Sequence, residues 1–539
     1  MTSITMRRIT WIALVYSVGC TDGAGDPSLS RPDANSDSDS NSVSLQIRDN
    51  PNPRAPLVKL LAVETTVPTR IDVHLTEDGE TRTIAFDDVG STHEVDLLGL
   101  HAGTVFTVDV TATAEDGTTV RSDGVDFYTD PLPADFPDIG VVVSDPARME
   151  PGYTLLVDAG TDDNVERMYA IMVDEAGEVV WFWDADVPIG WLELTERVTL
   201  RGVVSGGDDK DDTGLLEIDL RGDVVREYTA ALADARPNAA VVDVPVLHHD
   251  VSDAPDDGLF SLSWERLHHP AYPTSEDDPL APVAPTWVAV DMAVEVAPDG
   301  TVLDSWSYQD LLDPNRIGRD SVSGIYWGGI YPGMKDWAHA NSLTYIEEED
   351  AFIASARHQD AVFQFSRQTG ELDWLMAPAV GWAPEFDSVL LTAANAETRQ
   401  FYHQHAPELT PAGTILMFDN GNHRASAYED AVHNLENVSR AVEYQVDPVA
   451  GTFEEVWSYG DQRDPTMFCF KVGDVDMLPE TGNVLITFGI YFREEHARWT
   501  IVEVTHTDPP QVVFEIESGD RREGALGQAR ATRIRSLYL

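Results

Sequence analysis

Along most of the chain apolar residues come in short runs between turn residues, and nowhere do they recur with helical spacing. Such runs, rich in β-branched and aromatic residues and bounded by Gly, Asp, Asn and Pro, predict strands joined by tight turns. Beyond about Pro146 one unit recurs. Its end is a turn followed by a strand: Gly177-Glu178-Val179-Val180-Trp181, Gly222-Asp223-Val224-Val225, Gly300-Thr301-Val302-Leu303, Gly370-Glu371-Leu372-Asp373-Trp374 and Gly451-Thr452-Phe453, with Pro510-Gln511-Val512-Val513-Phe514 as a sixth that lacks the glycine. Upstream lies a second strand, such as Ala361–Phe365 or Ala441–Tyr444, and before it a third, such as Ala351–Ala356 or Thr414–Phe418. Residues 339–376 read as one full unit of four strands. Six such units predict an all-β fold, a six-bladed β-propeller over 145–539. The turn glycines lie 45, 78, 70 and 81 residues apart, so loops are inserted around 265–288, 310–335, 376–400 and 421–437. These are expected to rise from one face and wall a pocket.

Ahead of the repeat, residues 43–135 alternate or cluster β-formers at Leu57–Val63, Arg70–Leu75, Thr81–Phe86 and Val105–Ala112, which predicts a small Ig-like β-sandwich. Residues 21–42 are mostly Asp, Ser, Asn, Gly and Pro and read as a disordered tether. In residues 1–20, Arg7 and Arg8 precede an apolar stretch, Ile9–Tyr16, too short to span a bilayer. Ser17-Val18-Gly19-Cys20 then resembles a bacterial lipobox, with Ser17 where an aliphatic residue is usual and Cys20 as the lipidated residue. The expectation is an exported bacterial protein, periplasmic or anchored as a lipoprotein. Thr21, rather than an acidic residue, after the cysteine favours the outer membrane.

Composition narrows the partners. The chain has 539 residues, 42% of them hydrophobic, enough for a large core. Its formal charge of -59, from 94 acidic against 35 basic residues, makes nucleic acid an unfavourable partner, because phosphate is repelled. With two cysteines, Cys20 and Cys469, no disulfide framework exists.

Four segments carry candidate chemistry: Leu247-His248-His249-Asp250, Asp336-Trp337-Ala338-His339-Ala340-Asn341, Ser355-Ala356-Arg357-His358-Gln359 and Tyr402-His403-Gln404-His405-Ala406. Antiparallel partners sum to a constant, so the turn at Glu347–Glu349 sets His339 beside Arg357. The same folding sets His405 beside Asn420 and His249 beside Trp264. The first strand of each propeller blade lines the channel, so His249, His339 and His405 meet at one channel mouth with Arg357, as an anion site. A zinc site is the chemical rival for three imidazoles, but a guanidinium beside a cation is unfavourable, so neither metal nor cofactor is expected here. His268, His269, His423 and His433 read as structural hydrogen-bonding residues. Asp250 reads equally as an Asx turn and as an orienter of histidine.

The motifs Asp-Trp-x-His-x-Asn-Ser at 336–342, Ser-x-Arg-His-Gln at 355–359, Gln-His at 404–405, Phe-Asp-Asn-Gly at 418–421 and His-His-Asp at 248–250 together resemble the bacterial aryl-sulfate sulfotransferases. That family has a β-sandwich, with an Asn-Pro segment like Asn50–Pro53, ahead of a six-bladed propeller. The resemblance implies that His405 is the transiently sulfated nucleophile, with His339, Asn341 and Arg357 binding the sulfuryl group. The further histidine falls in His-His-Asp, His249 being favoured over His248, and a late-blade threonine falls on Thr487. The disulfide of some relatives has no counterpart here.

Imidazole suits such chemistry, being neutral near pH 7 and a good leaving group. Arg357 and His339 would stabilise the sulfuryl oxygens, and His249, if protonated, could donate to the departing phenolate. The reaction implied is a ping-pong transfer from an aryl sulfate to a phenol without a nucleotide donor, since no phosphate-binding glycine loop occurs. A non-catalytic propeller binding protein and an aryl-sulfate hydrolase stand as alternatives; a quinoprotein dehydrogenase would need metal-binding acids that are not found. Expected partners are small aryl sulfates and phenols, with a membrane met only through the lipid anchor and a homodimer left open.

Overall fold

A computed structural model describes residues 42–538 apart from 160–166, 186–187, 196, 205–212, 232, 234–237, 325, 434–435, 464, 494–495 and 520–529. Cys20 and the signal and tether segments, through residue 41, lie outside the described residues. Among the described residues the chain is nearly all β, with two short α-helices, Tyr308–Leu311 at the start of the 310–335 insertion and Tyr326–Ile330 within it. No helix among the described residues is long and apolar enough to cross a membrane.

The N-terminal domain is a six-stranded assembly built on one long strand, Lys59–Glu77, paired with Val43–Asp49, Glu80–Leu97 and Val105–Ala114. Two strands expected at 57–63 and 70–75 are thus one. Pro68 lacks the amide that a ladder needs, and there the register to Glu80–Leu97 slips between Glu64 and Thr69 without ending the strand. Inward residues such as Leu61, Val73, Val108 and Val110 form its core.

Among the described residues six further sheets follow in chain order, each built on antiparallel pairs, with a short parallel strand added in three of them. Their inner strands are Thr532–Ile534, Ile189–Leu194, His248–Ala254, Ala340–Ile346, His405–Leu409 and Asp474–Met477. From the third sheet to the last, successive sheets touch through these inner strands; the second meets the third through Leu200–Val204 against His248–Ala254, and Ile189–Leu194 touches Thr532–Ile534 and its neighbour Tyr153–Ala159. Leu485, Trp499, Ile501 and Phe514 of the last sheet pack against Tyr169, Ile171 and Phe182 of the first, which closes the ring. Two exchanged strands fasten this junction: Thr532–Ile534 joins the first sheet, and Ile139–Ser144 completes the last. Exchange removes two free edges. Glycines 177, 222, 300, 370 and 451, at the recurring turn, all have φ between +66 and +89°, which explains their periodic recurrence.

The 265–288 insertion is largely a hairpin of extended strands, Gly258–Tyr272 and Ala284–Val296, rather than loop. Asn50 ties the N-terminal domain down by donating to the carbonyl oxygens of Ala55 and Arg221, and Arg221 pairs with Asp96 at 2.8 Å.

Ile534 is 1% exposed at the closing junction, so Ile534→Ala should lower unfolding free energy by about 2–4 kcal/mol, whereas Val449→Ala, fully exposed, should change it by less than about 0.5 kcal/mol. Chemical denaturation of both variants checks this. Equal, small effects would mean that the closing strand does not contribute to folding.

Candidate active site

The starts of three successive inner strands share a local distortion. The ladder shifts register between His248 and Val251, between Ala340 and Ser342, and between His405 and Glu408. A left-handed residue accompanies each shift: His249 at φ +55°, His339 at +52° and Ala406 at +49°. Such bulges bend the strand and re-aim side chains. The rings of His249 and His339 consequently meet edge to face, 5.0 Å between centroids. The bulge also overturns the pairing expected for His249: His248 lies opposite Leu262, and Trp264 instead packs on Trp327 and Tyr331.

His405 is 8% exposed, and its Nδ1 lies 2.6 Å from Asn420 Oδ1. Asn420 Nδ2 donates to the carbonyl oxygens of Cys469 and Val472, both at 2.8 Å. With its nitrogen so committed, the amide presents oxygen to His405, which must donate from Nδ1. The lone pair therefore sits on Nε2. Burial first, and then the charge of Arg357, hold the His405 pKa well below its usual range, so the ring is neutral.

His339 Nδ1 donates to Asp336 Oδ2 at 2.7 Å, and its ring stacks on His358 at 4.7 Å. Burial pushes His339 down to about 3 and Asp336 up to about 6, so near pH 7 a neutral imidazole faces a carboxylate. His248 and His249 share a contact between their Nδ1 atoms at 2.8 Å, and burial lowers both, His248 to about 3. His249 is therefore neutral at rest, so the donor role that the sequence reading made conditional on protonation needs another form of the ring. Tyr326 lies against both His249 and His339, with centroids 5.8 and 5.2 Å away.

Arg357 is where the hairpin arithmetic puts it: its backbone N–H donates to the His339 carbonyl at 3.2 Å. Its guanidinium donates from Nη2 to the Phe470 carbonyl at 2.9 Å, with Nη1 3.8 Å from Asp320 Oδ2. Asn341 donates to the Gln404 carbonyl at 2.8 Å and leaves its buried oxygen without a partner. Gln404 in turn donates to Ser355 Oγ and the Ala361 carbonyl, joining the two sheets. Thr487, opposite Asp474 in the ladder, keeps a buried hydroxyl with no partner. Asp250 orients no histidine. It accepts from the amides of Val251 and Leu343 and pairs with Arg530 at 3.0 Å.

The profile of the arylsulfotransferase (ASST) family matches residues 140–525, and that of the arylsulfotransferase Ig-like domain matches residues 46–129. The chain belongs to the arylsulfotransferase family. It is 30% identical over 214 residues to arylsulfate sulfotransferase AssT of Escherichia coli O6:H1 and 31% identical over 216 residues to arylsulfate sulfotransferase AssT of Lelliottia amnigena. Each match covers 32% of this chain and 35% of the relative, about a third of the length of these curated arylsulfotransferases.

Three partners in the site carry no role in the sequence reading. Asp336 stands three residues before His339 in a quoted motif, and that i to i+3 spacing was the available signal. Asn420 is placed beside His405 by hairpin folding, but its fixed amide appears only with the carbonyls of Cys469 and Val472. Asp320 lies in an insertion, where no periodicity points to it.

His248, His339 and His358 are each pushed by burial to about 3, against about 6.5 for a free histidine. A folded-state pKa below the unfolded one means that their stabilising share is complete above about pH 6.5 and is lost as pH falls toward 3. Asp336, raised to about 6, offsets part of this loss. NMR of labelled histidine should show no titration of these three rings between about pH 8 and 5. A ring titrating near 6.5 would contradict the burial argument.

Proposed function

We propose that the protein transfers a sulfuryl group from an aryl sulfate to a phenol by a ping-pong route through His405. The observation that carries this reading is the commitment of Asn420, which leaves His405 a neutral ring with its lone pair on Nε2. In the first half-reaction Nε2 attacks sulfur, the S–N bond forms, and the S–O bond to the aryl oxygen breaks, releasing a phenolate. In the second, a phenol loses its proton and its oxygen attacks sulfur. The S–N bond breaks, and His405 returns to its neutral form. Arg357 faces the sulfuryl oxygens, where negative charge builds, while His339, neutral and with its proton on Nδ1 toward Asp336, offers only a lone pair at Nε2. In the tautomer where His248 donates from Nδ1 to His249 Nδ1, His249 carries its proton on Nε2 and can donate it to the departing oxygen without an imidazolium. His339 Nε2, the ring nitrogen opposite the Asp336 contact, can take the acceptor's proton.

The same proposal places Asn341 and Thr487, whose buried oxygens lack partners, among the groups that position the sulfuryl group or its water. It also places the protein outside the inner membrane, tethered through Cys20 by the polar segment that follows.

With a chromogenic aryl sulfate, release of phenol should depend on an added phenolic acceptor and disappear in His405→Asn. Asn420→Ala should lower turnover by about 10- to 100-fold, since it frees the orientation of the ring without removing it. Arg357→Lys should cost about 10²- to 10³-fold, because an ammonium cannot reproduce a planar fork. Full activity in His405→Asn would overturn the route, and release independent of phenol would make the protein a hydrolase. Cys20→Ser should move the protein from the membrane to the soluble fraction with activity unchanged; a wild type soluble after export would contradict the tether.

A further inference from the structure

Beside Arg357, but outside the set assigned to sulfuryl transfer, three side chains from separate segments converge. Asp320 Oδ2 lies 3.2 Å from His403 Nε2, and Asp320 Oδ1 lies 3.5 Å from His423 Nε2. One ligand atom from each falls within 4.8 Å of the others, and the two imidazole rings stand 5.4 Å apart at 63°. A tetrahedral zinc ion with bonds of about 2.0–2.2 Å separates its ligands by about 3.3–3.5 Å, and the two contacts of Asp320, each through a different carboxylate oxygen, lie close to that at 3.2 and 3.5 Å. The inner histidine has the outer support that metal ligands need. His403 Nδ1 lies 3.0 Å from Asp360 Oδ1, which also accepts the His403 backbone N–H at 2.9 Å. The carboxylate that fixes Nδ1 thereby turns Nε2 toward Asp320 and His423, the arrangement of a carboxylate–histidine–metal triad.

We propose that Asp320, His403 and His423 form a binding site for one divalent cation of the zinc class, backed by Asp360. Three protein ligands leave a fourth position open, as in sites that keep a water or an anion on the metal. Charge permits it although Arg357 is 3.8 Å from Asp320, because Asp320 and Asp360 supply two negative charges in contact with the ligand set. Asp360 is wholly buried, with its second oxygen unpartnered, and its charge is shared among His403 and the nearby Arg316 and Arg357. Access is open on the outer side, where the side chains of Asp320 and His423 are each 27% exposed. The neighbouring group of Asp336, His339 and His358 also brings its ligand atoms within 4.8 Å of one another, but all three residues are buried and the Nδ1 atom of each ring is already engaged. There Nδ1 of His339 goes to Asp336, Nδ1 of His358 goes to the Asp336 carbonyl, and the two rings lie stacked. The proposed ion would fasten the 310–335 and 421–437 insertions to the segment just before His405 and hold Asp320 against Arg357.

The test uses the full chain, stripped with dipicolinate and titrated with Co²⁺ and then with Zn²⁺. One equivalent of Co²⁺ should develop the visible absorption of a low-symmetry N/O site, Zn²⁺ should displace it, and either metal should raise the melting temperature. His423→Ala and Asp320→Asn should lose the absorption and the thermal shift, and His269→Ala, at a histidine on the surface hairpin, should keep both. If Asp320→Asn fails to fold, His423→Ala, at a part-exposed position, decides the matter. No absorption and no shift in the wild type, or retention of the metal by His423→Ala, would overturn the site and leave His403 as an imidazolium between two carboxylates. The readout involves no aryl sulfate, so its failure and that of the transfer reaction are separable.

Discussion

The site depends on how three neighbouring inner strands begin. Each starts with a bulge and a residue held in the left-handed region, a conformation that costs a non-glycine residue about 1–3 kcal/mol. The bonds that hold it run between sheets. Leu343 N–H reaches Asp250 at 2.7 Å, the Asn341 amide reaches the Gln404 carbonyl, and Thr344 Oγ1 reaches the Pro407 carbonyl at 3.1 Å. Sheet-to-sheet contacts therefore over-determine the strained starts, and the ring of sheets acts as the frame that points three histidines at one place. Loosening the junction between the first and last sheets would be felt at the site for that reason.

Burial then sets the protonation. In a chain of charge -59 the expected long-range field would favour charged imidazole, yet desolvation dominates at His248, His249, His339 and His405 and keeps them neutral. The fixed positive charge is left to Arg357, whose own pKa burial lowers without discharging it near pH 7. In the proposed transfer, a neutral attacking ring beside a permanent cation suits an anionic sulfate ester, since it avoids repulsion between attacking group and substrate.

Much of this was legible in the chain because turns and strands impose local rules. The recurring glycines announced themselves through the positive φ that each turn needs, and hairpin arithmetic correctly joined His339 to Arg357 and His405 to Asn420. The same arithmetic failed at His249 because a bulge inserts residues that no period reveals. The separate strands read at 57–63 and 70–75 proved to be one, with only a slip of register at Pro68. The direction of the Asn420 amide and the convergence of Asp320, His403 and His423 were hidden for another reason: they depend on loops and on carbonyls from distant segments, where neither spacing nor hydrophobic pattern constrains the geometry. His423, read alone, looks like any polar loop histidine.

Mass spectrometry of the protein quenched after mixing with an aryl sulfate alone tests the central claim most directly. The account predicts one added sulfuryl group on the peptide that contains His405, lost on acid treatment and absent from His405→Asn. A sulfuryl group on the peptide containing His339, or no modified peptide while transfer to phenol proceeds, would contradict it.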